Sequence, residues 1–216
     1  MNPFLVKTPS LVKRLNPSWV WSFPQETNAV YLTFDDGPIP EVTPWVLDIL
    51  NEYNIKATFF CIGENVKKHP ELFRRIIAEG HSVGNHTNQH LNGWVTNTET
   101  YISDVEAASE ILKQNNSNRE STPSLLFRPP YGKLKPVQSK KIKQKGYSIV
   151  MWDVLSFDWD QSISPEKCLE NVQLNLEPGS IVVFHDSLKA EKNLRYTLPE
   201  TLEFIIENNW NGLAIS

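Results

Sequence analysis

Three short runs of this sequence hold residue types that do chemistry together. "YLTFDDGP" ends an apolar run on Asp35 and Asp36, "HTNQH" sets His86 and His90 four residues apart, and "VVFHD" carries His185 near its end. Two imidazoles and one carboxylate make a three-ligand metal site that leaves positions for water and substrate. On a helical turn the four-residue spacing puts both imidazoles on one face, and Asp36 is the candidate carboxylate. A metal held that way polarises a carbonyl and acidifies water. Hydrolysis also needs a base, which Asp35 offers beside the metal. It needs an acid for the leaving group, which His185 offers because an imidazole carries a proton near neutral pH. In "LFRPPYG", Arg128 is expected to grip Asp35 as a bidentate pair. Pro129 and Pro130 stiffen that segment and leave the Tyr131 backbone N–H free to hold a developing oxyanion.

Each run has a plainer reading. Asp, Gly and Pro make turns, two histidines at that spacing occur as surface or capping residues, and His185 fits a hydrogen-bonded core position. Concurrence favours the chemistry: His81, His86, His90 and His185, four of the five histidines, lie at or beside the end of a predicted strand.

The elements that must position these groups alternate. Strands are expected over 29–36, 56–63, 81–86, 125–132, 147–158 and 180–186, with a short closing strand over 212–216. Helices are expected between them over 41–54, 69–80, 96–114, 135–146, 164–176 and 198–210. Thr98 is the expected N-cap of the third helix, and Ser164 caps the fifth with Pro165 at its first position. The segment "NNSNRESTPS" reads as a polar loop. Strand–helix repetition of this kind implies a parallel sheet with helices outside. No Gly-x-Gly-x-x-Gly follows the first strand, which argues against a dinucleotide fold. Polar groups finish successive strands: Asp35 and Asp36, His86, Arg128, Asp153 or Asp158, and His185. A closed barrel brings them all to one mouth.

The 216 residues suit one domain, with 1–28 as an extension packed on a 29–216 barrel. The formal charge of −4 gives no broad nucleic-acid face, and the lysines of "KLKPVQSKKIKQKG" read as the wet face of a helix. Seven Trp, six Tyr and ten Phe are a generous aromatic supply, enough both to build a core and to floor a carbohydrate cleft. Cys61 and Cys168 lack zinc-type spacing and are expected to be free and buried, which is compatible with a reducing compartment. No apolar run near the start matches a signal peptide or a transmembrane span, so a cytoplasmic location is the expectation. Phe4, Leu5, Leu11, Val12 and Leu15 are expected to cover the barrel bottom. The oligomeric state is not legible.

Taken in order, "TFDDGP", "HTNQH", "RPPYG", "WDVLSFDW" and "IVVFHD" resemble the motifs of the NodB-homology polysaccharide deacetylases, carbohydrate esterase family 4. The resemblance implies a distorted (β/α)7 barrel, TIM-barrel-like, and a metal-dependent deacetylase. Zinc is the usual metal, with cobalt or another divalent ion as the alternative. It implies Asp36, His86 and His90 as ligands, Asp35 as base oriented by Arg128, His185 as acid, and the Tyr131 N–H in the oxyanion site. Trp159 and Val183 would line the pocket around the acetyl methyl, with Pro129 and Asp153 also expected in the substrate pocket.

One departure stands out. The family's fourth motif is usually Asp-x-x-Asp-Trp, and Leu155 occupies the first Asp position of "LSFDW". His185 would then lack its carboxylate, with Asp153 the expected substitute and Asp158 and Asp186 ranked below it. The expected substrate is an N-acetylhexosamine unit of a glycan, peptidoglycan-like first and chitin-like next. The alternatives are a catalytically impaired glycan-binding protein on the same barrel, an O-acetyl sugar deacetylase, and a hydrolase of a small amide.

Overall fold

Strand β1 (Ala29–Asp35) is buried along its whole length, as a central strand covered on both faces must be. It pairs in parallel with β2 (Thr58–Cys61) on one side and β7 (Ile181–His185) on the other. From β2 the sheet runs on through β3 (Ser82–Asn85), β4 (Leu126–Phe127) and β5 (Ser148–Ile149); from β7 it runs to β6 (Val154–Leu155). A short β8 (Asn211–Gly212) adds to the start of β1. The structure, a computed structural model, describes residues 5–116 and 125–216, so Phe4 and most of the expected polar loop lie outside it.

The helices α2 (Thr43–Glu52), α4 (Pro70–Ala78), α5 (Thr98–Asn115), α6 (Pro136–Gln144), α7 (Pro165–Gln173) and α8 (Glu191–Glu207) follow strands as the alternation predicts. Phe34 stacks on Phe59 and Phe184 at centroid separations of 5.0 and 5.9 Å, joining three strands beneath the helices. Val46, Leu47, Leu50, Phe73, Leu194 and Leu198 close on this cluster from outside. The result is a parallel half-barrel with surrounding helices, the distorted (β/α)7 architecture.

The barrel is open between β5 and β6, and the N-terminal segment fills the slot. The Val20 N–H donates to Ile149 O at 2.8 Å and Val20 O accepts from Met151 N–H at 2.7 Å, on the β5 side. Across the slot, Val6 O accepts from Leu155 N–H and Thr8 N–H donates to Asp153 O, both at 2.8 Å. Lys7 and Lys13 clamp this segment to the Asp153 carboxylate at 2.7 and 2.6 Å.

Several expectations are corrected. The helix α1 (Ser10–Leu15) buries none of its side chains, and Leu5, Leu11, Val12 and Leu15 are exposed. Trp21 and the half-buried Val6, Trp19, Val20 and Phe23 are the residues of this segment that pack against the core. The strand expected over 147–158 splits into β5 and β6 because the backbone between them has other partners. Val150 O and Met151 O accept from Arg128, and Met151 N–H goes to Val20. An additional six-residue helix, α3 (Gly63–Lys68), is too short to show a period; its first N–H groups donate to Thr87 O and Asn88 O. Asn97, not Thr98, caps α5 by accepting from Glu99 N–H. His81 precedes β3 and so lies at the far end from the mouth, where its Nδ1 accepts the Ala57 N–H at 3.1 Å. The closing strand is Asn211–Gly212 rather than 212–216. Cys61 and Cys168 are free and buried.

Candidate active site

The paired aspartates diverge because the chain turns between them. Asp36 leaves β1 with φ +82°, a left-handed conformation that Asp tolerates better than most residues. The turn is held from three sides. Asn65 Nδ2 donates to Asp36 O at 2.8 Å, the Gly37 N–H donates to Asp186 Oδ1 at 3.0 Å, and the Asp186 N–H returns to Asp35 O at 3.1 Å. Only glycine fits at 37, where a Cβ would stand 1.9 Å from the Asp186 carboxylate. Thr43 Oγ1 bonds the other Asp186 oxygen at 2.5 Å.

His86 and His90 meet across a loop, not on a helical turn. Positive φ values at Thr87 and His90, +64° and +54°, curl the chain after β3. Asn85 Oδ1 accepts the Thr87 N–H, and Asp104 Oδ2 accepts those of Asn88 and Gln89. The two rings come within 5.1 Å, centroid to centroid.

Asp36, His86 and His90 present three donor atoms within 4.8 Å of one another. Asp36 Oδ1 lies 3.1 Å from His90 Nε2 and 3.7 Å from His86 Nε2. Donors about 2.1 Å from one tetrahedral ion stand about 3.4 Å apart, so a divalent metal fits this spacing. The donor chemistry agrees. His86 Nδ1 bonds Arg128 O at 2.7 Å, and a carbonyl can only accept, so Nδ1 carries the proton and Nε2 offers a lone pair. Burial is the main force on His86 and pushes its pKa down to about 4, keeping that lone pair free. Asp36 Oδ1 is buried without a hydrogen-bond partner, a position that a cation would satisfy. Burial works against the Asp36 charge, but the His90 contact and the neighbouring imidazoles outweigh it and hold its pKa low. Tyr131 OH stands 3.1 Å from His90 Nδ1.

Arg128 is fully buried, and its guanidinium is pinned all round. Nη1 donates to Asp35 Oδ1 at 2.7 Å and Thr33 Oγ1 at 2.6 Å, Nη2 to Met151 O, and Nε to Val150 O, while Phe60 lies 4.1 Å beneath it. The expected bidentate grip on Asp35 is therefore a single bond, the other donors going to Thr33 on β1 and to the two carbonyls of the β5–β6 break.

His185 has its carboxylate, and it is Asp158. The two oxygens of Asp158 take the His185 N–H at 2.6 Å and the imidazole Nδ1 at 2.7 Å. Burial opposes a charge on His185, yet Asp158, with Asp36 and Asp35 farther off, raises its pKa to about 9. Asp153, expected in this role and in the pocket, is turned the other way, onto Lys7, Lys13 and Ser180. Alternation on an ideal strand suggested Asp153; the bend before β6 and the turn at Phe157, φ +65°, bring Asp158 round instead.

These groups share one cavity of about 300 Å³. Asp35, Asp36, His86, His90 and His185 form its polar floor, and Pro129, Trp152, Leu155, Trp159 and Val183 its apolar wall. Trp159 meets the His185 ring edge-on at 4.8 Å. Tyr131, with φ +59°, Ser187 and Lys189 also border the cavity. Trp152, Asn65 and Asp104 went unnoticed in the sequence; only Trp152, in the quoted "WDVLSFDW", carried any signal.

The sequence profile of the polysaccharide deacetylase family matches residues 23–150. The chain belongs to that family. A peptidoglycan-N-acetylglucosamine deacetylase of Bacillus cereus is 39% identical over 170 residues, 79% of this chain and 60% of its own length. The chain therefore spans less than two thirds of that relative. A chitooligosaccharide deacetylase of a Bradyrhizobium strain is 38% identical over 163 residues, 74% of this chain and 71% of its own. The crystal structure of the Bc1960 peptidoglycan N-acetylglucosamine deacetylase, in complex with 4-naphthalen-1-yl-N-oxidanyl-benzamide, superposes with a TM-score of 0.85. It is 32% identical, covering 96% of this chain and 94% of that one. Family members are metalloenzymes, in keeping with the His/Asp cluster.

Proposed function

We propose that this chain removes the acetyl group from N-acetylhexosamine units of a glycan, with N-acetylglucosamine of peptidoglycan as the first substrate and chitin-like oligomers next. The observation that carries the reading is the placement of Asp36, His86 and His90 between two buried ion pairs, Asp35–Arg128 and Asp158–His185, around one cavity. Family membership and the names of the relatives support it.

The residues divide the work. Asp36, His86 and His90 hold a divalent metal, zinc by donor set, which supplies Lewis acidity toward the acetyl oxygen and water. Arg128 holds Asp35 in place through Nη1, and Asp35 accepts the proton of the attacking water. The Tyr131 backbone N–H helps to hold the developing oxyanion. His185, whose pKa the paired Asp158 raises, gives its proton to the departing amine nitrogen. Trp159, Val183 and Leu155 give the methyl an apolar seat and keep bulk water away. Because Asp158 serves His185, Leu155 no longer argues for an impaired binding protein.

The test is acetate release from peptidoglycan fragments and N-acetylglucosamine oligomers, before and after chelation and after zinc is restored. Release that stops on chelation and returns with zinc supports the reading. A zinc-loaded protein that releases acetate from none of them overturns it.

A further inference from the structure

Beside the cavity stands an aromatic side chain that the proposed chemistry does not use. Trp94 is 60% exposed, and Val95 next to it is exposed too. A large indole left in water is an unsatisfied apolar surface, which in a soluble protein marks a contact site when it adjoins a cleft. Trp94 is tied to two segments that line this one. It follows the metal-ligand candidate His90 by four residues, and Lys133, whose Nζ lies 5.4 Å over the indole, directly follows the cavity residues Tyr131 and Gly132.

The loop that carries Trp94 is built rather than loose. Asn92 O accepts from Val95 and Thr96, and Asn92 Oδ1 accepts the Trp94 N–H at 3.0 Å. The fully buried Gln138 donates to Gly93 O at 2.9 Å, and Lys135 donates to Thr96 O at 2.7 Å. Gly93 is pressed onto the 133–134 backbone so closely that a Cβ would stand 2.4 Å from Lys133 O. Little ordering remains to be lost when a ligand lands there.

We infer that Trp94, steadied by Lys133 over one part of its ring, is a stacking platform for a pyranose ring next to the acetylated one in the same glycan chain. The inference rests on the glycan deacetylase reading, and it commits to a saccharide because the loop that carries Trp94 follows the cavity residue His90 and packs on the segment that follows the cavity residues Tyr131 and Gly132. An indole offers a flat apolar face matched to the C–H face of a sugar, and a chain threaded through the cavity continues over it. The site thus selects oligomers over single sugars.

Two measurements test it. The first is the ratio of kcat/KM on chitotetraose to that on N-acetylglucosamine, for wild type, Trp94→Ala and Trp94→Phe. The ratio should fall about tenfold in W94A, or about 1.4 kcal/mol, and recover in large part in W94F. The second is the Kd of the chelated protein for chitotetraose by calorimetry, which should rise by a similar factor in W94A and needs no turnover. Should wild type release no acetate, the deacetylase reading falls while the Kd comparison still decides the platform. An unchanged ratio with an unchanged Kd, or no binding of chitotetraose by the wild-type protein, overturns the inference.

Discussion

Asp158 engages His185 twice, once through the backbone N–H and once through Nδ1 of the ring. One carboxylate thus fixes both the position of the strand end and the direction in which the imidazole points. Replacing Asp158 by Asn leaves an acceptor but removes the charge that raises the His185 pKa to about 9. The acid form works below its pKa, so the alkaline limb of kcat should move to lower pH in D158N. kcat itself should drop about a hundredfold or more. A pH–rate profile of D158N that overlays wild type would remove His185 from the acid role.

The metal-free protein should lose stability as pH rises from about 6.5 to about 9. His185, at about 9, and Asp186, pushed up to about 8 mainly by burial, both have folded pKa values above their unfolded ones. His185 therefore holds an extra proton in the folded state from about pH 6.5 to about 9 and Asp186 from about pH 4 to about 8, and each contribution is lost as pH rises through the folded pKa. His81 and His86, lowered to about 4, act only below about 6.5 and do not oppose the trend. Urea midpoints measured with chelator should fall over this range, and Asp186→Asn should make the fall shallower. A flat or rising midpoint would contradict the assignment.

Tyr131→Phe separates two functions of one residue. The backbone N–H survives, while the hydroxyl on His90 Nδ1 is lost. Metal affinity should weaken about tenfold, the low end for losing a partner that orients a ligand. Chelator competition reads this directly, and unchanged affinity would show that the hydroxyl does not orient His90.

Asp153→Asn should change stability and leave the pH–rate profile alone. Its carboxylate ties Lys7 and Lys13 to the barrel wall. Both lysines are partly exposed, so the loss should be about 1–2 kcal/mol in a denaturant titration. A shift of the alkaline limb instead would revive Asp153 as the partner of His185.

The chemistry was legible in the sequence wherever a strand delivered it. Asp35 and His185 end β1 and β7, which pair directly with those two residues in register. What the sequence hid depended on bends. The His86–His90 pairing is made by positive-φ residues that no spacing rule encodes. The switch from Asp153 to Asp158 follows from a strand that breaks because a buried arginine takes its carbonyls. Strand alternation assumes an unbroken pleat, and it fails where the barrel is interrupted. The apolar residues of α1 misled for a similar reason: their pattern suggested burial, but the slot between β5 and β6 is filled by backbone from Val6 to Thr8 and from Val20.

That filled slot bears on how the protein can be divided. The family profile begins at residue 23, yet the segment before it supplies the hydrogen bonds that silence the facing margins of β5 and β6. A polypeptide trimmed to the family core would expose two lengths of unpaired amides and carbonyls, each a template for a strand from another molecule. Trimming would give a self-associating protein, not a minimal enzyme.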